Sequence, residues 1–159
     1  MWQALGARLF RCPLCGPSVI IQLNASAIGV RCLRRAASAI TMSLVSVLEK
    51  EVGALGDLHV CELSSRRPLV SRLRRRAGRF TCSEYFDGVP LGEVVNGVQC
   101  QDVQRLTYAS ASFDVCTPAE VFEHVPDDSR GFAKLHRVLR PIGRLVFSVP
   151  IVSAVKLNQ

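Results

Sequence analysis

Apolar positions along this chain recur with two different periods, and the periods alternate. Ile40, Leu44, Val47, Leu48 and Val52 repeat at helical spacing, predicting a helix over 36–53 that Gly53 stops. Gly56 and Asp57 make a turn, and the apolar run LHVCEL at 58–63 predicts a strand. Leu69, Val70 and Leu73 give a helix over 67–77 with Gly78 as its cap. A second strand follows at 80–84. The glycine-rich stretch 86–97 reads as a loop, and Val98 to Cys100 as a short third strand. Ser112 to Thr117 predicts a fourth strand and Arg144 to Val149 a fifth. Between them Phe132, Leu135, Val138 and Leu139 mark a helix over 128–139. The first 35 residues show little periodicity. The expected organisation is therefore a cysteine-containing segment at 1–35, a connecting helix and turn at 36–57, and an α/β domain at 58–159.

Strands alternating with helices point to a parallel sheet, and ligands bind such sheets beyond the carboxyl ends of the strands. Acidic residues fall at those ends. Glu62 closes the first strand, Glu84 the second, and Asp102 follows the third. A carboxylate at the end of the second strand suits hydrogen bonds to ribose hydroxyls, and Asp102 falls where an adenine amino group could be held.

Charge and cysteine usage narrow the class. The net charge of +7 is uneven: no Asp or Glu precedes Glu49, and 17 of the 20 basic residues are Arg. Arg72, Arg74, Arg75, Arg76 and Arg79 crowd one helix and its end without interleaved aromatics, which reads as a solvated face rather than a nucleic-acid surface. Seven cysteines is an odd number and speaks for a reducing compartment, so a cytoplasmic location is expected. The acid-free, Arg-bearing N-terminus also has the composition of an organellar transit peptide. No apolar run reaches the roughly 18–20 residues needed to cross a bilayer.

Phe113-Asp114, Glu120-Val121-Phe122-Glu123-His124-Val125-Pro126 and Arg137-Val138-Leu139-Arg140-Pro141 form a pattern that resembles the class I S-adenosylmethionine-dependent methyltransferases. The resemblance is close over about 50 residues and weaker back to about residue 58. It implies a Rossmann-like, doubly wound, mostly parallel sheet with flanking helices. It also implies S-adenosylmethionine as cofactor and transfer of its sulfonium methyl to a nucleophile, with catalysis largely by positioning. Carried over, Glu62 and Ser64 stand in the first turn, Glu84 resembles the ribose-binding acid, and Asp102 with Val103 the adenine-contacting pair. Thr117 falls where the pocket is lined after the fourth strand. Glu123-His124 resembles a structural signature of the turn, and no catalytic residue is implied.

The chain departs from this pattern in three places. The first turn, glycine-rich in the family, reads Glu62-Leu63-Ser64-Ser65-Arg66-Arg67-Pro68. Side chains at Ser64 and Arg66 are expected to crowd the cofactor's methionine end. The later turn reads Arg140-Pro141-Ile142-Gly143, placing a β-branched residue where positive φ is wanted. The last strands of the fold are expected to be missing, which leaves the fifth strand as an open edge. Two readings follow: a methyltransferase with an unknown acceptor, or a truncated or decayed non-catalytic relative acting at most as a binding module. Finally, Cys12-Pro-Leu-Cys15 with Cys32 resembles a small zinc-binding head found before some methyltransferase domains. Arg35 stands at the fourth ligand position, so the expectation is a degenerate knuckle with Cys12, Cys15 and Cys32 as its remaining metal ligands.

Overall fold

The structure, a computed structural model, describes residues 6–24, 29–65 and 67–149. Its first element is a three-stranded antiparallel sheet: β1 (Ala7–Cys12), β2 (Gly16–Gln22) and β3 (Val30–Cys32). The little-periodic first 35 residues therefore hold strands that hydropathy did not reveal. The reason is visible in β1, where Leu9 and Phe10 are both exposed. Helix α1 (Ala39–Glu51) follows; Ser38 caps it by accepting from the Thr41 N–H. Gly53 ends it at φ +78°, a left-handed turn that glycine adopts without strain.

The second sheet contains β4 (His59–Glu62), β5 (Arg79–Glu84), β6 (Val94–Val95), β7 (Val98–Cys100), β8 (Phe113–Cys116) and β9 (Leu139–Leu145). Its spatial order is β6-β7-β5-β4-β8-β9. All neighbours pair in parallel except β6 with β7, a hairpin turned by Asn96 and Gly97, both at positive φ. That two-residue Asn-Gly turn is the type I′ signal, so part of the expected 86–97 loop is strand. Helix α2 (Arg67–Arg76) connects β4 to β5, and α3 (Asp128–Val138) connects β8 to β9. The fold is the expected Rossmann-like α/β arrangement.

Successive strand residues face opposite sides, so each side of the sheet has its own core. Val60 and Val115 join Leu44, Leu48, Leu69 and Leu73 on one side. Their neighbours Cys61 and Cys116 join Phe113, Phe122, Leu135 and Val138 on the other. Cys12, Leu14 and Cys32 are buried in the first cluster, so the small N-terminal sheet packs on α1 and α2.

Two local expectations change. Gly78 does not cap α2 with positive φ. It is needed because the chain passes Gly56 closely: a Cβ at Gly78 would sit 2.1 Å from the Gly56 carbonyl oxygen. The last strand begins earlier than 144, because Leu139 already pairs with Phe113; the Arg140–Gly143 turn then bulges out of the ladder, Arg144 and Leu145 resume it against Val115 and Cys116, and Ser148 bridges to Ala119. Ile142 does adopt φ +62°, fully exposed. Among the described residues β9 pairs on one side only.

Candidate cofactor site

The carboxyl ends of β4, β5 and β7 open onto a cavity of about 670 Å³. That is within the range of small-molecule sites and lies where the strand order reverses between β4 and β8. Ser64, Glu84, Asp102 and Val103 line it, as do Tyr85, Glu120 and His124. Arg66 lies outside the described residues.

Glu84 half-emerges at the end of β5. Its Oε2 accepts from the Ser65 N–H at 2.9 Å and the Ser65 hydroxyl at 3.1 Å. Its Oε1 has no partner among the described residues, which leaves an acceptor for a ligand hydroxyl. Asp102 caps a 3-10 turn at Val103–Arg105: Oδ1 accepts from the Gln104 N–H at 2.8 Å, and Oδ2 from Arg105 Nε at 3.0 Å. Partial burial opposes its charge, but the Gln104 N–H and the Arg105 guanidinium outweigh that and hold the carboxyl below its usual range. Gln101, buried beside it, ties down the loop by donating to the Thr107 hydroxyl at 2.6 Å and accepting from the Thr107 N–H at 3.0 Å.

Glu62 and Thr117 lie beneath the cavity rather than in its wall. Glu62 is completely buried. Its Oε1 accepts from the Ser64 N–H (3.1 Å), the Ser64 hydroxyl (2.9 Å) and the Ala119 N–H (3.3 Å), while Oε2 lies 2.5 Å from Thr117 Oγ1. Thr117 Oγ1 in turn donates to the Cys61 carbonyl at 3.3 Å. Burial pushes the Glu62 carboxyl up to about 8 against the hydrogen bonds from Thr117, Ser64 and Ala119 that favour the anion. A neutral Glu62 thus ties the turn after β4 to the turn after β8.

This network also explains Ser64. Its hydroxyl is drawn inward to Glu62, it is 3% exposed, and its backbone is outside the positive-φ region. The position does not demand glycine here, and the Ser64 hydroxyl is held away from the cavity.

The remaining motif residues are scaffolding. Asp114 accepts from the His59 N–H at 2.8 Å and takes both its oxygens to Arg140 Nη1 at 2.9 and 2.8 Å, tying β8 to β4 and to the following turn. Desolvation works against its charge, yet the His59 N–H and Arg140 hold its carboxyl below the usual range. Arg137 donates to the carbonyls of Tyr108 and Leu106 at 2.8 Å each. Glu123 and His124 lie in a 3-10 turn at Phe122–His124, both exposed; only His124 reaches the cavity. Tyr85, Gln101 and Glu120 line or support the cavity without having been expected in the site, although Glu120 opens the motif at 120–126. Glu120 sits at φ +54°, a conformation no sequence signal announces for a glutamate.

The cysteines of the N-terminal sheet do come together. The Sγ atoms of Cys12, Cys15 and Cys32 lie within 4.8 Å of one another. Burial raises the Cys12 thiol to about 11. For Cys32 burial is outweighed by the Ser18 hydroxyl and the Arg35 N–H, which bring the thiol down to about 7.

Residues 68–147 match the methyltransferase domain family. A ubiquinone biosynthesis O-methyltransferase of Coxiella burnetii is 42% identical over 50 residues, covering 31% of this chain and 21% of that protein. An uncharacterized 37.1 kDa protein in transposon TN4556 of Streptomyces fradiae is 31% identical over 106 residues, 67% of this chain and 26% of that protein. The chain thus spans about a fifth to a quarter of the length of these curated relatives. A solved putative methyltransferase of Bacillus halodurans superposes with a TM-score of 0.54 at 14% identity, over 67% of this chain and 49% of that one. That structural likeness carries the fold; the family match over half of the chain carries the ancestry. The chain belongs to the class I S-adenosylmethionine-dependent methyltransferases.

Proposed function

We propose that the cavity at the β4, β5 and β7 ends binds S-adenosylmethionine and that the chain presents its methyl group to an acceptor. The observation that supports this most is that Glu84, held through Oε2 by Ser65, lines one cavity together with Asp102 and Val103. In this reading Glu84 receives the ribose hydroxyls, Asp102 the adenine amino group, and Val103 packs against the adenine ring. When bound, the cofactor supplies an electrophilic methyl on sulfonium. The chain's own contribution is orientation: the neutral Glu62 network holds the turns beneath the methionine side, and Gln101 holds the loop that carries Asp102. No general base is needed for such positioning catalysis.

Calorimetric titration with S-adenosylmethionine tests the reading. Glu84→Ala and Asp102→Ala are each expected to weaken binding by about 1–3 kcal/mol, the scale of charge-assisted hydrogen bonds. Absence of binding at millimolar cofactor would sink it. Methyl transfer is then assayed from radiolabelled cofactor, with hydroxyl oxygens as the first acceptor class because of the similarity to the ubiquinone biosynthesis O-methyltransferases. Cofactor binding without transfer to any acceptor is the signature of a non-catalytic relative.

A further inference from the structure

The chain turns twice in the same way in its N-terminal sheet. After Cys12 a three-residue turn leads to Gly16 at φ +77°; after Cys32 a three-residue turn leads to Ala36 at φ +53°. The closing bonds correspond as well, Cys15 N–H to Cys12 carbonyl and Arg35 N–H to Cys32 carbonyl, both 3.3 Å. Arg35 therefore occupies the place in the second turn that Cys15 holds in the first. Ala36 keeps a left-handed conformation although it is not glycine, and such strain persists where surrounding structure demands it.

Between the two turns lie three sulfurs. Cys15 Sγ and Cys32 Sγ are 3.6 Å apart, and all three Sγ atoms fall within 4.8 Å. A tetrahedral zinc ion with Zn–S bonds of about 2.3 Å separates its sulfurs by about 3.8 Å. Polar groups that would support thiolates are already in place. The Ser18 hydroxyl is 3.2 Å from Cys32 Sγ, and backbone N–H groups of Leu14 and Arg35 face the sulfurs of Cys12 and Cys32. Three thiolates and a divalent ion carry a net negative charge. A cleft of about 680 Å³ beside them is lined by Arg11, Arg35, Arg72, Arg75 and Arg76, with Glu49 paired to Arg72.

We propose that Cys12, Cys15 and Cys32 form an open zinc site with three protein thiolates, whose fourth position faces the arginine cleft and takes an exchangeable small ligand. Three protein ligands leave a coordination position that closed structural sites lack. The arginines favour an anionic occupant, such as chloride, cyanide or a small thiolate. This site is independent of the cofactor cavity.

The full chain, purified with a phosphine reductant so that no added thiol competes, is titrated with zinc alone against a chromophoric chelator. About one equivalent is expected to bind at micromolar free zinc; less than about half an equivalent overturns the site. Cobalt substitution is expected to give a thiolate-to-metal charge-transfer band and ligand-field bands that shift when cyanide or imidazole is added. Cobalt bands that do not respond overturn the open position. Arg35→Cys, at an exposed position that leaves the core intact, is expected to complete a four-thiolate set, raising zinc affinity by about tenfold or more and abolishing the response to added ligand. No gain in affinity from that variant overturns the equivalence of the two turns.

Discussion

Glu62 is the residue whose environment has the largest consequence. A carboxyl with no access to water gains nothing from ionising unless donors outnumber the loss of hydration, and here they do not. Its folded value of about 8 lies above the ordinary 4.5, so the folded chain holds this proton more tightly than the unfolded one. The stability it contributes is complete below about 4.5 and is lost as pH rises through 8. One proton gives a slope of at most about 1.4 kcal/mol per pH unit. Glu62→Gln keeps a neutral side chain that accepts from Ser64 and donates toward Thr117. Urea unfolding of this variant between pH 5 and 8.5 is expected to lack the decline in midpoint that the parent shows. A parent profile parallel to the variant's would contradict a neutral Glu62. The difference between the two proteins cancels the opposing contribution of Cys32, whose lowered value loses stability as pH falls through about 7.

At the scale of elements, turns decide more than helices or strands do. The Arg140–Gly143 turn places Ile142 at φ +62° with its side chain in solvent. Ile142→Gly removes the strain and no packing, and is expected to stabilise the chain by about 0.5–1 kcal/mol after the entropy cost of glycine, read as a raised thermal midpoint. Gly78 has the opposite logic. Gly78→Ala drives a Cβ against the Gly56 carbonyl and is expected to cost about 1–3 kcal/mol as the α2–β5 junction shifts. An unchanged midpoint would mean that the two loops do not approach each other as closely as they do here. The motif Phe113-Asp114 with Arg140 belongs to this scale too: Asp114 clamps β8 to β4 and to the Arg140 turn.

For the molecule as a whole, β4 and β8 contribute side chains to both cores, and the N-terminal sheet joins the first of them through Cys12, Leu14 and Cys32. Loss of either core should therefore be felt throughout. Leu73→Ala and Leu135→Ala, one on each side, are each expected to cost about 2–5 kcal/mol. Both are expected to move a single unfolding transition monitored by near- and far-ultraviolet circular dichroism. A separate transition for the N-terminal sheet would show that its packing on α1 and α2 is dispensable. Among the described residues no helix is long and apolar enough to cross a membrane.

The repeating strand and helix periods from residue 36 onward, the acids at three strand ends and the Phe113–Pro126 signature were all legible in the sequence, because each is a local pattern of residue types. Together they specified a parallel α/β sheet and its ancestry. The β1–β3 sheet was not legible, since its strands expose apolar residues and follow no clean alternation. Nor were the roles of the predicted site residues separable by position alone. Glu62, Glu84 and Asp102 read alike as strand-end acids. Yet one is buried and tied to two turns, one lines the cavity while accepting from Ser65, and one is spent largely on capping its own loop. Whether Ser64 obstructs the cavity depended on a hydroxyl finding Glu62, and whether three distant cysteines meet depended on the register of β2 against β1 and β3. The sequence by itself determined which elements form and which lineage they belong to, because spacing along the chain carries that information. Only the tertiary structure decided burial, hydrogen-bond partners and the meeting of the thiols, because those are distances between residues far apart in the chain.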